Sequence, residues 1–353
     1  MTPDVGQYWP ELVGVLLGLL QTHVVRSRGQ VPWAASVALL ALLFDASGAG
    51  LRLAAVWLLW AGAYNAVFDL LPARWRTEPV AMLFTGLLTA TVWNGLRVLL
   101  PPVPLLEWPL LAVLVLLAWG VLYRAALEQL AELLFAPFYC VTAHGPGVRD
   151  LPLRGPVLIV ANHSAWFDPA WLGAIVPRPL TPMMTSTFYD LPGLRWLMRY
   201  VIGAIRVQAH QLRRTDLPEL ADAVAALDRQ AALVVFPEGR LRRSAEQVLH
   251  RFGQGVWHIL RQRPTTLVVC CWIEGGWGSY TSYYNGPPTK NKPWQLRRSI
   301  RIGMSAPIVL SATALTDHMT TRTVLMNGCL AARAHLGLPA VPPISLPASE
   351  AEE

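Results

Sequence analysis

Lysine is almost absent from this chain of 353 residues. Lys290 and Lys292 are the only two among 29 basic residues, so the formal charge of +7 rests on arginine. Charge of either sign is scarce, at 14% of residues, where a soluble domain carries about 25%. Hydrophobic residues reach 54%, a balance that points to a membrane protein. Cysteine is sparse too: Cys140, Cys270, Cys271 and Cys329 show neither metal-ligand spacing nor a disulfide framework. Cys270 and Cys271 lie in an apolar run and read as buried core thiols. No Gly-x-Ser-x-Gly elbow occurs, which sets aside the usual serine-hydrolase nucleophile even though Ser164 is present. No nucleic-acid recognition motif and no internal repeat are found, and Asp4 with no basic n-region does not read as a cleaved signal peptide.

What is present is unevenly spread. The length allows two domains, and the apolar excess sits in the first third. A span needs about 20 apolar residues, because a helix rises about 1.5 Å per residue across a hydrocarbon core of roughly 30 Å. Five candidates run over residues 8–25, 31–48, 51–71, 79–100 and 103–123. Arg26, Arg28, Arg74, Arg76 and Arg124 follow alternate spans, which predicts the N-terminus outside and the remainder of the chain in the cytoplasm. The expectation is an all-α membrane domain over residues 1–137, integral to the inner (cytoplasmic) membrane. Its arginine-rich surface suits anionic lipid headgroups. Residues 124–139 keep helical spacing and continue the last span or lie along the interface.

From Arg149 onward the composition is that of a globular domain. Short apolar runs at 157–161, 232–236, 267–273 and 299–303 read as strands; 216–230, 250–261 and 320–336 read as helices. Strands separated by helices predict an α/β domain with a largely parallel centre, over residues 138–338. Residues 339–353, rich in Pro, Ser and Glu, read as a disordered tail.

The sharpest local feature is Asn162-His163-Ser164-Ala165-Trp166-Phe167-Asp168, directly after the strand 157–161. A strand end opening through a turn into a helix is where α/β sheets present reactive groups. Four residues between His163 and Asp168 let the chain fold back so that the carboxylate meets the imidazole. Asp168 would then fix the tautomer, leaving the other ring nitrogen to take a proton from a hydroxyl. The plainer reading of Asp168 is a helix cap before Pro169, and a lone His in such a turn is as often structural. A metal site would want a second His or a Cys close by, and none is there.

A second strand, 232–236, runs into Phe236-Pro237-Glu238-Gly239-Arg240. Pro237 and Gly239 shape a tight turn. Arg240, Arg242 and Arg243 add forked donors suited to a phosphate. A solvated basic loop is the plain alternative, and it weakens when two strand-end motifs share one small domain.

Together the two motifs resemble the glycerolipid acyltransferase family that includes 1-acyl-glycerol-3-phosphate acyltransferases. The carrying residues are His163 and Asp168 in His-x-x-x-x-Asp, then Phe236-Pro237-Glu238-Gly239, with Phe252 and Gly255 downstream. The similarity covers roughly residues 151–309. It implies that His163 is the general base, that Asp168 orients it, and that Glu238 and Gly239 help to bind a glycerol phosphate, with Pro237 and Arg240 beside them. Two positions depart from the family pattern. In Gly203-Ala204-Ile205-Arg206-Val207-Gln208-Ala209 an alanine stands where the family has the arginine that contacts the acceptor phosphate, and Cys270 stands where a proline follows paired valines. Arg206, Arg213 and Arg214 are the candidates to supply the missing charge.

The resemblance further implies transfer of an acyl group from acyl-CoA or an acyl-carrier protein to a lysophospholipid, most simply lysophosphatidic acid to phosphatidic acid. No metal or prosthetic group is expected, and membrane lipids are the expected partners. The rival readings are acylation of another lysolipid, such as lysophosphatidylethanolamine or an amino-acid lipid, and a lipid-transport or scaffold protein with an appended domain.

Overall fold

A computed structural model describes residues 9–24, 32–36, 49–70, 78–99, 104–135, 137–208, 217–293 and 295–345. The chain divides into two compact units, Met1–Leu134 and Phe135–Glu353.

The first unit is helical: α1 (Trp9–Val24), α2 (Ala49–Leu70), α3 (Glu78–Leu99) and α4 (Pro104–Phe135). Small residues let α1 lie close on α2. A Cβ at Gly14 would stand 2.5 Å from the Leu53 carbonyl oxygen, and one at Gly18 would stand 2.6 Å from the Trp60 ring. Trp60, Tyr64 and Ala81 are buried together between α2 and α3. Glu11 on α1 and Arg52 on α2 pair at 3.2 Å. The short helical stretch 32–36 is tied to α4, because the Trp33 Nε1–H donates to the Ala126 carbonyl at 3.0 Å and the Trp33 and Trp119 rings meet edge-on.

These helices correct the five-span expectation. Among the described residues no helix is long and apolar enough to cross a membrane. The five-span membrane domain predicted over 1–137 is therefore corrected, and the integral inner-membrane placement and orientation drawn from those spans lose their support. α1 has 16 residues, which reach about 24 Å against a hydrocarbon core of roughly 30 Å. Summed hydropathy also counts alanines such as Ala54, Ala61 and Ala81, which are buried here and do not face outward. Most of the second candidate span, and Arg26, Arg28, Arg74 and Arg76, lie outside the described residues.

The second unit is built on a mixed sheet of β1 (Tyr139–His144), β2 (Val157–Ala161), β3 (Leu180–Thr185), β4 (Ile205–Val207), β5 (Ala232–Val235), β6 (Leu267–Glu274), β7 (Arg298–Met304) and β8 (Ile308–Val309). Its order is β1-β7-β6-β2-β5-β3-β4, with β8 against β6. β2 pairs in parallel with both β5 and β6, whereas β7 and β8 run antiparallel to β6.

Alternate strand residues face opposite layers, as the period of two requires. Leu158, Val160, Leu233, Val268 and Cys270 meet α6 (Pro218–Asp228), α7 (Gly255–Gln262) and α8 (His318–Ala334). Val157, Ile159, Val234, Val269 and Cys271 meet Trp171 and Leu172 of α5 (Asp168–Ile175). All five residues of β2 are buried on both faces, and burying each of Val157, Leu158, Ile159 and Val160 stabilises the sheet by about 1.5–3 kcal/mol. That rigidity fixes the point at which the chain leaves β2, where His163 follows.

α8 starts at Asp317, whose carboxylate accepts the Met319 and Thr320 amides. Of residues 339–353, the described part 339–345 follows the domain. Asn327 pairs through both side-chain atoms with the Ile344 backbone, at 2.8 and 3.0 Å, and Leu338 and Ile344 pack on the core.

Candidate active site

His163 leaves the C-terminal end of β2 and folds back on itself. Its Nδ1 lies 2.8 Å from Asp168 Oδ2. Asp168 is fully buried, and the same Oδ2 accepts the backbone N–H groups of Ser164 (2.6 Å) and Ala165 (3.0 Å). Oδ1 accepts the Ser164 hydroxyl at 3.3 Å. The cap reading of Asp168 is thus corrected: Asp168 is the first residue of α5, and its carboxylate is spent on the turn before it. A carboxylate so placed accepts from Nδ1–H, which leaves the lone pair on Nε2. Among the described residues Nε2 has no hydrogen-bond partner, and the side chain keeps 21% exposure.

Several contacts hold that turn. The side chain of Asn162, also buried, acts as an extra peptide unit: its Nδ2 donates to the Ile273 carbonyl at 3.1 Å and its Oδ1 accepts the Ile273 N–H at 2.7 Å. This extends the β2–β6 pairing one step past the strand. The His163 ring stacks on Phe236, with centroids 4.3 Å apart. Gly276 closes over the carboxylate. A Cβ there would stand 2.2 Å from Ser164 Oγ, 3.0 Å from the Trp171 ring and 3.1 Å from Asp168 Oδ1.

The second turn reaches the first through Glu238. Its Oε1 accepts the His163 N–H at 2.7 Å and its Oε2 accepts the His250 N–H at 2.9 Å. Burial pushes this carboxyl up to about 7, against the pull of those two amides. The Arg242 N–H donates to the His163 carbonyl at 2.8 Å, so His163 is gripped by the second turn on both sides of its Cα. Pro237 is buried and its carbonyl accepts the Gly253 N–H at 2.7 Å. Gly239 sits at φ +64°, the left-handed conformation that favours glycine, and is exposed.

The arginines separate by environment. Arg240 is exposed and its Nη2 lies 3.3 Å from His250 Nδ1. Burial and the Arg240, Arg242 and Arg243 charges push His250 below the usual histidine range, which favours a neutral ring whose Nδ1 accepts from Arg240. Arg242 donates to the Ser244 and Ala245 carbonyls and stacks over Trp277 at 4.8 Å. Arg243 lies over Tyr283 at 4.9 Å. Arg206 is elsewhere: it forms a forked pair with Asp190, at 2.5, 2.9 and 3.0 Å, and the bonds from Arg206 hold Asp190 below the usual carboxylate range. The structure therefore brings His163, Asp168, Glu238, Pro237, Gly239 and Arg240 to two touching turns and leaves Arg206 committed to another partner. Ala209, Arg213 and Arg214 lie outside the described residues. Among those residues no three His, Cys, Asp or Glu side chains converge as metal ligands.

Residues 142–274 match the family model described as Acyltransferase. This chain carries an acyltransferase domain. The resemblance drawn from the two motifs is borne out by that match, which contains both turns. A solved structure, that of the 1-acyl-sn-glycerophosphate (LPA) acyltransferase PlsC from Thermotoga maritima, is similar at 17% identity over 70% of this chain and 91% of that one, with a TM-score of 0.40. So distant a likeness says nothing of the acceptor used here. No curated protein matches the chain.

The sequence reading gave Asn162, His250 and Gly276 no role in the site, and it missed Asp190 as the partner that claims Arg206. Gly275-Gly276-Trp277-Gly278 after β6 was the available signal, a glycine cluster at a third strand end. Asp190 carried no local mark at all.

Proposed function

We propose that this domain moves a fatty acyl group from an acyl thioester, acyl-CoA or acyl-carrier protein, to the free hydroxyl of a lysophospholipid, with lysophosphatidic acid giving phosphatidic acid. One observation carries the reading: a histidine whose Nδ1 is bound by a fully buried carboxylate while Nε2 stays without a protein partner. Such an imidazole is a general base with its tautomer set. Nε2 takes the proton of the acceptor hydroxyl as that oxygen bonds to the thioester carbonyl carbon. The tetrahedral intermediate then expels the thiolate, the C–S bond breaks, and the proton passes to sulfur. No acyl-enzyme forms and no prosthetic group is needed.

An oxyanion needs donors aimed at it. The amides of His163, Ser164, Ala165, Gly239 and Arg242 are already engaged within the two turns. Those of Arg240 and Leu241 donate to no acceptor among the described residues, and they are the candidates. Arg240, Arg242 and Arg243 supply positive charge for an acceptor phosphate.

The Arg206–Asp190 pair favours a second reading, in which the acceptor is a phosphodiester lysolipid such as lysophosphatidylethanolamine and needs fewer guanidinium groups. Acyl transfer by the purified chain, measured over a panel of lysolipid acceptors with acyl-CoA and acyl-carrier-protein donors, tests both. Turnover with lysophosphatidic acid supports the first reading, turnover with the diester alone supports the second, and turnover with neither overturns both.

A further inference from the structure

Between β3 and β4 the chain forms helical turns at Ser186–Tyr189 and Leu194–Trp196, followed by a π-helical turn at Leu197–Ile202. Its inward residues already have a small core of their own: Tyr189, Met198 and Ala204 are buried against Met184, Leu194, Leu197 and Ile202. The outward residues are nonetheless large and apolar. Leu191 is 45% exposed, Trp196 58% and Tyr200 53%. Trp196 and Tyr200 stand four residues apart with ring centroids at 6.3 Å, and the exposed Arg195 and Arg199 occupy the adjoining row, with the Arg199 guanidinium 5.4 Å over the Tyr200 ring. The single acid of this stretch, Asp190, is neutralised by Arg206. The face is therefore aromatic and net positive. It is also continuous with the site, because Phe188 meets the exposed Trp166 edge-on at 5.0 Å, and Trp166 lies inside the turn between His163 and Asp168.

We propose that segment 186–202 docks the acyltransferase domain on an anionic lipid surface, with Trp196 and Tyr200 at headgroup depth and Arg195 and Arg199 on the lipid phosphates. Indole and phenol rings favour that interface because one end is apolar and the other wet. Basic residues beside it gain from the surface potential of anionic lipid. The inference rests on the lysophospholipid reading above, since an acceptor held in a lipid surface would reach His163 along Trp166 and Phe188.

The test places an environment-sensitive thiol dye on a Trp196→Cys, Cys140→Ser form of the full chain, so that the signal comes from this segment. With phosphatidylcholine vesicles containing phosphatidylglycerol, a blue shift reversed by salt is expected; with phosphatidylcholine alone it should be much weaker. Adding Arg195→Gln and Arg199→Gln should weaken binding of the segment by about fivefold for each arginine. No shift on anionic vesicles overturns the docking, whatever the acyl-transfer assay shows. A shift that grows with protein concentration in the absence of lipid marks self-association and overturns it too. In turnover, Trp196→Ser with Tyr200→Ser should lose about tenfold or more on vesicle-borne acceptor while keeping its rate on a monomeric short-chain lysolipid. Equal rates on both acceptors count against docking. Absence of turnover by the unaltered chain on either acceptor counts against the functional reading alone, because the dye shift is measured independently.

Discussion

The two turns of the site leave neighbouring strands of one sheet, yet they are built on opposite plans. Turn 162–168 is closed on itself, with the Asp168 carboxylate accepting from His163, Ser164 and Ala165, all within five residues. Turn 236–243 spends its carboxylate abroad, on the amides of His163 and His250. The first turn therefore sets which nitrogen of His163 is free, and the second sets where its ring stands. A close pair of residues can encode orientation alone, but position is defined relative to the rest of the sheet and needs a partner from another strand.

The largest effect should come from breaking the closed turn. His163→Ala should lower kcat by about 10³-fold or more while the unfolding midpoint stays near that of the unaltered chain, read by acyl transfer and thermal melting. Asp168→Asn should cost about 10²–10⁴-fold in kcat through a misoriented ring. Near-normal turnover in the His163 variant would end the proposed mechanism.

Gly276→Ala attacks the same turn from outside. Its Cβ would meet Ser164 Oγ at 2.2 Å and Asp168 Oδ1 at 3.1 Å, and relieving such a clash in a packed site costs about 1–3 kcal/mol. Stability and kcat should both fall, whereas Gly173, where a Cβ meets nothing within 4 Å, should tolerate alanine in both assays.

Breaking the open turn should show in pH dependence as well as rate. Glu238 has its folded value raised to about 7 from 4.5, so between those values the native state holds a proton that the unfolded chain has released. Stability is then full below about pH 4.5, falls as pH rises toward 7, and levels off above, by on the order of 3 kcal/mol in all. Glu238→Gln should remove that slope in chemical denaturation run across the window. It should also cut kcat about tenfold or more, because an amide offers one acceptor where two backbone N–H groups need two. A slope unchanged in the variant would show that another group titrates.

The smallest effect sharpens the division among the arginines. Arg240→Ala should raise the acceptor KM about tenfold or more by removing one charged hydrogen bond. Arg206→Ala should leave that KM within about twofold, since its guanidinium already belongs to Asp190. Equal effects of the two on KM would return Arg206 to the acceptor site.

Both catalytic candidates were legible in the sequence because their contact is local. Only four residues separate His163 from Asp168, and an all-apolar strand before them marks the turn. The central strands β2, β5 and β6 were legible for a similar reason, as runs buried on both faces carry no polar interruption. β1, β3 and β4 were not, because their half-exposed patterns are weak and β4 has only three residues. The helical unit misled in the other direction. Hydropathy along the chain cannot tell a helix that faces lipid from one whose glycines and alanines let a neighbour approach, as Gly14 and Gly18 do for α2.

Sequence alone thus determined the pair proposed to do the chemistry, since a local turn needs only the right residues at the right spacing. Tertiary structure decided everything that depends on distant partners. Glu238, read as a substrate ligand, has both carboxylate oxygens engaged by the amides of His163 and His250. Arg206, read as a spare phosphate ligand, is bound by Asp190, sixteen residues earlier. Hydrogen-bond capacity is finite, and which partner claims it first is settled by three-dimensional neighbourhood, not by residue type.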